Sequence, residues 1–505
     1  MRLTLFPGES STSYSSGGAR HGFLSSHHKL VPRDYLNASA HDPAPFSFCP
    51  INGPGDALAR KYTPAALHKT ILHPGSNARV QRVINKAMRG LPVTISILGG
   101  SISACHGAGD DPLATGCYPT QVFQWWNEVF PHPASELTNG ARRRTDSSYF
   151  AYCHAQHLPD TADLVILEFD TEDPYDEVAL DHFELLVRSI LLRPEQPAVI
   201  VLGHFAPQLQ GIHGFAGPEQ LHTLVAQFYD LPHITLKGAI YHEYLENPSL
   251  AAERYFTDMV LANEVGHSVI ADVLVHYLQS QICSAWSTAK GYSFDSPVFT
   301  SDLDTEGSNS AGESNPDAAE IERRAAAGDN VASGVPPFFM STRPDINGGS
   351  RPYRFHEVKP YCASANDLIN PLPATLFVGS GWHQARPKRA VLDSATPADA
   401  YYWHATYPKS KLRVPVKINA GDVAVWYLTQ EKGRVPSSVM CWVDNNINGG
   451  VTISGEAESG DDGPTPKIKV IDHFVSEGSH YVECQLQGVE GVQVNPFKLL
   501  GIFAS

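Results

Sequence analysis

The sequence predicts an α/β domain built on a doubly wound parallel sheet, followed by an antiparallel β-sandwich. Three observations carry this. Between about residues 90 and 285, short apolar runs alternate with amphipathic stretches of helical period. An acidic segment without aromatics then interrupts the chain at Thr300–Gly334. Beyond it lie closely spaced runs of β-branched and aromatic residues parted by Gly, Asn, Asp and Pro.

Taken in order, residues 1–60 are rich in Ser, Gly, His and Pro and read as an irregular leader. Thr63–Arg89 reads as helical. Val93–Leu98 (VTISIL), ended by Gly99-Gly100, reads as a buried strand, as do Leu164–Phe169 and Ala198–Leu202. Leu180–Leu192 places Phe183, Val187, Ile190 and Leu191 on one helical face, and Val265–Cys283 carries a wide apolar stripe. Strands alternating with helices give a parallel sheet covered on both faces. The expected α/β domain spans 61–299. Residues 300–350, acidic and built of small residues, form an expected disordered linker. Residues 351–505 form the expected sandwich, with strands at Leu412–Ile418, Val423–Leu428, Ser438–Val443, Val451–Ser454, Ile468–Ile471, Tyr481–Gln487 and Phe497–Phe503.

Composition narrows the function. The 505 residues carry a formal charge of −16, which disfavours nucleic-acid binding, since that depends on Lys and Arg releasing phosphate counterions. No window offers the roughly twenty apolar residues of a membrane span, and the first residues lack the basic and apolar regions of a signal peptide. None of the eight cysteines forms a Cys-x-x-Cys pair, and no cofactor is expected. Cys105 and Cys117 bracket a loop and read equally well as a disulfide or as free thiols. Asn37-Ala38-Ser39 is a lone glycosylation sequon.

The local feature with most chemistry is Ser101, in Gly99-Gly100-Ser101-Ile102-Ser103 at the exit of the first clear strand. Ligands of doubly wound sheets bind beyond the carboxyl ends of the strands. Rossmann and P-loop glycine patterns are absent, and Ser103 occupies the last glycine position of an α/β-hydrolase elbow. Alone, Gly-Gly-Ser after a strand is an ordinary turn. Its surroundings resemble the SGNH (GDSL-like) hydrolases over about residues 90–285. Ser101 matches the first block, Gly140 in ELTNGARRRT the second, DLVILEFDTED (Asp163–Asp173) the third and DMVLANEVGH (Asp258–His267) the fifth. Within these, the chain resembles fungal capsule-associated SGNH-type proteins. The resemblance implies a flavodoxin-like domain, an esterase or acyltransferase acting on ester groups, most often O-acetyl, of a polysaccharide, and a secretory-pathway or extracellular setting. It implies Ser101 as nucleophile, with the Ser101 and Gly140 amides holding the oxyanion.

Two positions depart from that pattern. Glu172 stands where the family has an amide-bearing Asn, and a carboxylate there would repel an oxyanion. Leu261 stands where the catalytic His belongs, which leaves Asp258 no imidazole to orient. His204, after the strand Ala198–Leu202, and His267 are the replacement bases to consider, with His213 in the next loop. The other reading is a glycan-binding or polysaccharide-biosynthesis accessory protein that has lost its chemistry. The acids Asp170, Glu172, Asp173 and Asp176 suit either a hard cation or a loop of Asx turns, and the turns are favoured. Arg142, Arg143 and Arg144 would neutralise them or meet an anionic sugar. In the second domain Trp382, His383, Tyr401, Tyr402, Trp403, Trp426 and Tyr427 offer sugar-stacking faces or core packing, core being the reading for Trp426.

Overall fold

The computed structural model describes residues 23–26, 28–36, 45–290, 357–373, 375–385, 401–457 and 464–505. The expected linker and the Asn37 sequon lie outside these. Seven strands form the first sheet: β1 (Phe23–Ser25), β2 (Ile71–His73), β3 (Thr94–Gly99), β4 (Glu136–Asn139), β5 (Leu164–Glu168), β6 (Ala198–Gly203) and β7 (His233–Thr235). Their spatial order is β1-β4-β3-β5-β6-β7-β2. The five central strands are parallel, and β1 and β2 are antiparallel edges. The order reverses between β3 and β5, so a crevice opens at their carboxyl ends. β3, β5 and β6 are buried almost end to end, as their unbroken apolar runs require of strands covered on both faces.

One face of the sheet packs on the helices Ala78–Met88, Tyr118–Val129 and Glu264–Ala289, with Tyr118, Phe123 and Trp126 fully buried. The other packs on Ser147–Cys153, Glu177–Leu191 and Pro218–Phe228. Asp176 caps Glu177–Leu191 by accepting the Ala179 N–H at 2.8 Å. Asn263 caps Glu264–Ala289 through the Val265 and Gly266 N–H groups. The stretch that reads as helical over Thr63–Arg89 is a short helix at Pro64–His68 and the helix Ala78–Met88, with the edge strand β2 between them. Gly75, at φ 62°, sits in the turn between the last two.

The second region has strands β8 (Tyr361–Ser364), β9 (Val378–Ser380), β10 (His383–Ala385), β11 (Tyr402–Ala405), β12 (Lys411–Ile418), β13 (Val423–Leu428), β14 (Ser438–Val443), β15 (Val451–Ser454), β16 (Pro466–Asp472), β17 (Gly478–Leu486) and β18 (Phe497–Ala504). One antiparallel sheet runs β10-β11-β18-β13-β16, with β8 also on β18, and the other runs β15-β14-β17-β12-β9. β12 alternates exposed and buried residues along its length, the signature of a strand with one face in a core. Trp382 and Trp403 lie in the core between these sheets and are at most 7% exposed, so they present no stacking face to a sugar.

Trp426 turns the other way. It packs on Tyr149 of the first region with ring centroids 4.3 Å apart, and Phe503 stacks on Tyr152. Arg188 pairs bidentately with Glu357, and Cys153 is disulfide-bonded to Cys362. The other disulfides are Cys49–Cys283, Cys105–Cys117 and Cys441–Cys484, so every cysteine is paired.

Candidate active site at the end of the first parallel strand

Ser101 lies at the reversal point, one residue past the Gly99-Gly100 pair that ends β3, and is 5% exposed. The glycines serve close approach, not a left-handed turn, since neither has a positive φ. A Cβ on Gly99 would lie 2.5 Å from Ser103 Oγ, and one on Gly100 would lie 2.1 Å from Glu172 Cγ. Gly100 therefore admits the Glu172 carboxylate to the serine. Glu172 Oε1 accepts the Ser101 N–H at 2.8 Å and also takes the Ser101 hydroxyl proton in a short hydrogen bond. The same hydroxyl oxygen accepts the Arg144 N–H at 2.9 Å. Its donor and acceptor directions are thus both defined. Burial raises the Glu172 pKa, while its bonds to Ser101 and the charge of Arg144 work against that rise.

The neighbouring acids hold the Glu172 loop. His222 is buried between Asp170 and Asp173, with ring nitrogens 2.8 and 2.9 Å from the two carboxylates. Burial opposes its charge, but the two carboxylates prevail and hold its pKa at about 9, so His222 is a cation. Asp173 also accepts the Ser147 N–H, and Asp170 the His204 N–H. Among the described residues no cluster of three or more His, Cys, Asp or Glu is arranged to hold a metal ion. The pattern of four acids in seven residues was visible in the sequence. Its buried cationic partner, fifty residues on in an amphipathic helix, was not.

The other sequence candidates lie elsewhere. The Gly140 N–H continues the sheet to the Ile97 carbonyl at 2.9 Å and so is not directed at an oxyanion. Gly140 is required because a Cβ would meet the His157 carbonyl at 2.1 Å. Asp258 accepts the Val260 and Leu261 N–H groups in an Asx turn. His267 Nδ1 faces the Tyr118 N–H at 3.4 Å, its ring stacks on Tyr118, and burial pulls its pKa down to about 3. His204 is 1% exposed, neither ring nitrogen makes a hydrogen bond, and burial lowers its pKa to about 4. Neither imidazole is bonded to Ser101 Oγ, and both sit too far down in pKa to be good bases. The structure brings together Ser101, Glu172 and Arg144, and leaves His204, His267, Asp258 and the Gly140 amide out of that contact.

The side-chain partners of the arginines were not foreseen. His106 Nε2 faces Arg143 Nη2 at 2.5 Å, and its Nδ1 pairs with Asp110. Arg142 donates to Asn366 of the second region at 2.9 Å. Of the three consecutive arginines, two are thus tied to side chains and Arg144 is exposed.

No family model matches the chain, and no curated protein does. Solved structures do. A two-domain esterase active on acetylated mannans is 18% identical, with a TM-score of 0.58 over 87% of this chain and 98% of that one. Its crystal form with mannopentaose gives 19% identity and a TM-score of 0.56 over the same shares. The likeness is one of fold. It spans both regions, the parallel sheet with its helices and the antiparallel sheets after it.

Proposed function

We propose that the chain is an SGNH-type esterase that removes acetyl groups from a polysaccharide, with Ser101 as nucleophile and Glu172 as general base. The observation that carries this is the Ser101 hydroxyl donating to Glu172 Oε1 while accepting the Arg144 N–H, at the crevice where the strand order reverses. A nucleophile needs a base within hydrogen-bond reach, and a carboxylate serves where no imidazole is present. The shared architecture with an esterase active on acetylated mannans supports the substrate class, and the resemblance to capsule-associated proteins adds extracellular acetylated polysaccharides to it. Four disulfides suit a protein matured in an oxidising compartment.

In the proposed reaction the Ser101 proton passes to Glu172 as Oγ bonds to the acetyl carbon and the carbonyl pair moves onto its oxygen. Collapse of that intermediate breaks the bond to the sugar oxygen, which takes the proton back from Glu172. Water then repeats the sequence on the acetyl-serine, releasing acetate and restoring the hydroxyl. Only ionised Glu172 accepts the proton, so the rate rises with pH through its pKa, which lies above the ordinary 4.5 of a glutamate.

The test is acetate release from acetylated mannan. Ser101→Ala should be inactive. Glu172→Gln, which keeps size and an acceptor oxygen, should lose on the order of 10²–10⁴-fold in kcat. An unchanged rate in Ser101→Ala would remove the mechanism, and full activity in Glu172→Gln would remove the base. Tight glycan binding by a wild-type protein that releases no acetate would support the accessory, non-catalytic reading instead.

A further inference from the structure

The reaction proposed above lacks an obvious partner for the developing oxyanion. The Ser101 N–H is engaged by Glu172, and the Gly140 N–H by the Ile97 carbonyl. The Arg142 N–H is likewise held, by the Gly99 carbonyl at 2.9 Å. Each backbone amide expected to bind a negative oxygen already has an acceptor. Acyl transfer still needs positive charge or a donor where the carbonyl oxygen becomes an anion.

Arg144 answers that need. Its own N–H contacts the nucleophile at 2.9 Å, so its Cα is next to the reacting atom and its side chain starts there. The residue is exposed, whereas Arg142 is held by Asn366 and Arg143 faces His106. Arg144 also stands at φ 50°, a left-handed backbone that an arginine adopts only at a steric cost. Glycine would take that conformation freely. Holding an arginine there is unfavourable locally, and the strained position is the one beside Ser101.

We infer that the Arg144 guanidinium is the oxyanion-stabilising group of this site, standing in for the amide donor that Glu172 replaces. The inference rests on the Ser101 reading. When Oγ attacks, the carbonyl pair moves onto oxygen, and that oxygen accepts from the guanidinium N–H groups. When the intermediate collapses, the pair returns and the sugar oxygen leaves with the Glu172 proton. Glu172, whose charge interacts with that of Arg144, becomes neutral at the moment of attack, which leaves the cation to the new anion.

The positive φ supplies a clean variant. Arg144→Gly retains the backbone N–H that meets Ser101 Oγ, relieves the strain and removes the side chain with its guanidinium. With acetylated mannan as substrate, kcat should fall by about 10²–10³-fold with KM little changed. Guanidinium ion at millimolar concentration, far below denaturing levels, should restore part of that loss, and sodium at the same ionic strength should not. The acid limb of the pH profile should also move upward, because Arg144 helps keep Glu172 ionised. A kcat within threefold of wild type, or equal rescue by sodium, would overturn the inference. Activity surviving in Ser101→Ala would instead overturn the Ser101 reading, and the two failures are told apart by those two variants.

Discussion

At the scale of single residues, the second buried acid beside Ser101 is as informative as the first. Glu168, the last residue of β5, is fully buried, accepts from Ser103 Oγ at 2.9 Å and has no partner on its other oxygen. Burial, then the charges of Asp170 and Glu172, push its pKa up to about 8, against the bond from Ser103. The folded chain therefore binds a proton between pH 4.5 and 8 that the unfolded chain releases. Stability from this group is complete below pH 4.5 and is lost as pH rises through 8, by a few kcal/mol in all. Glu168→Gln keeps the acceptor and cannot ionise. It should flatten the fall of Tm between pH 5 and pH 9, which thermal melts across that range will read. A variant melting with the wild-type pH slope would show that Glu168 is ionised at neutrality. At the same scale, the sequence made Glu172 and Leu261 legible as departures, because a carboxylate and a leucine cannot do the work of an amide and an imidazole. The new pairing was not legible, because it depends on Gly100 lacking a side chain where Glu172 arrives from the loop after β5.

At the scale of elements, legibility followed apolar length. β3, β5 and β6 are runs of five or six residues with no exposed position, and β13, β14 and β15 matched their reading residue for residue. β4 (ELTN) and β7 (HIT) are also largely buried, but they are short and mostly polar, so their alternation carries no signal. β4 matters because it feeds the arginine loop: Asn139, at its end, donates to the carbonyls of Ser103 and Pro112, both 2.8 Å away. Those carbonyls belong to the loop after Ser101, which Cys105–Cys117 closes. A covalent loop of this size contributes about 3 kcal/mol by restricting the unfolded chain. Replacing both cysteines by serine should lower Tm by several degrees and weaken Ser101-dependent activity, because the Cys105 left-handed turn at φ 64° loses its tether. Denaturant melts of the double variant check the magnitude, and an unchanged midpoint would mean that the Asn139 bonds alone hold the loop.

At the scale of the molecule, the two regions share one apolar cluster. The apolar cluster on the Ser147–Cys153 side of the sheet runs without a break into Ala424, Trp426, Leu428, Leu500 and Phe503 of the second region. Polar contacts border it: Tyr149 with Ser364 at 3.2 Å, Gln156 with the Cys362 carbonyl at 3.0 Å, and Arg142 with Asn366. The sequence marks a change between two patterns but not this face, because a helix residue packing on a neighbouring region looks like any core residue. The last of these contacts ties the second region to the arginine loop whose Arg144 N–H meets Ser101, so the sandwich supports the site without lending it a sugar-stacking tryptophan. A covalent consequence follows from Cys153–Cys362. If a protease site is introduced between residues 300 and 350 and cut, the two pieces should stay together, run as one band without reductant and as two with it. They should also elute as one species and keep the proposed acetate release at the uncut rate, because the apolar face persists after the cut. Pieces that separate under native, non-reducing conditions would mean that the pairing is not Cys153 with Cys362. Loss of acetate release from a nicked but intact body would make residues 300–350 part of the working site.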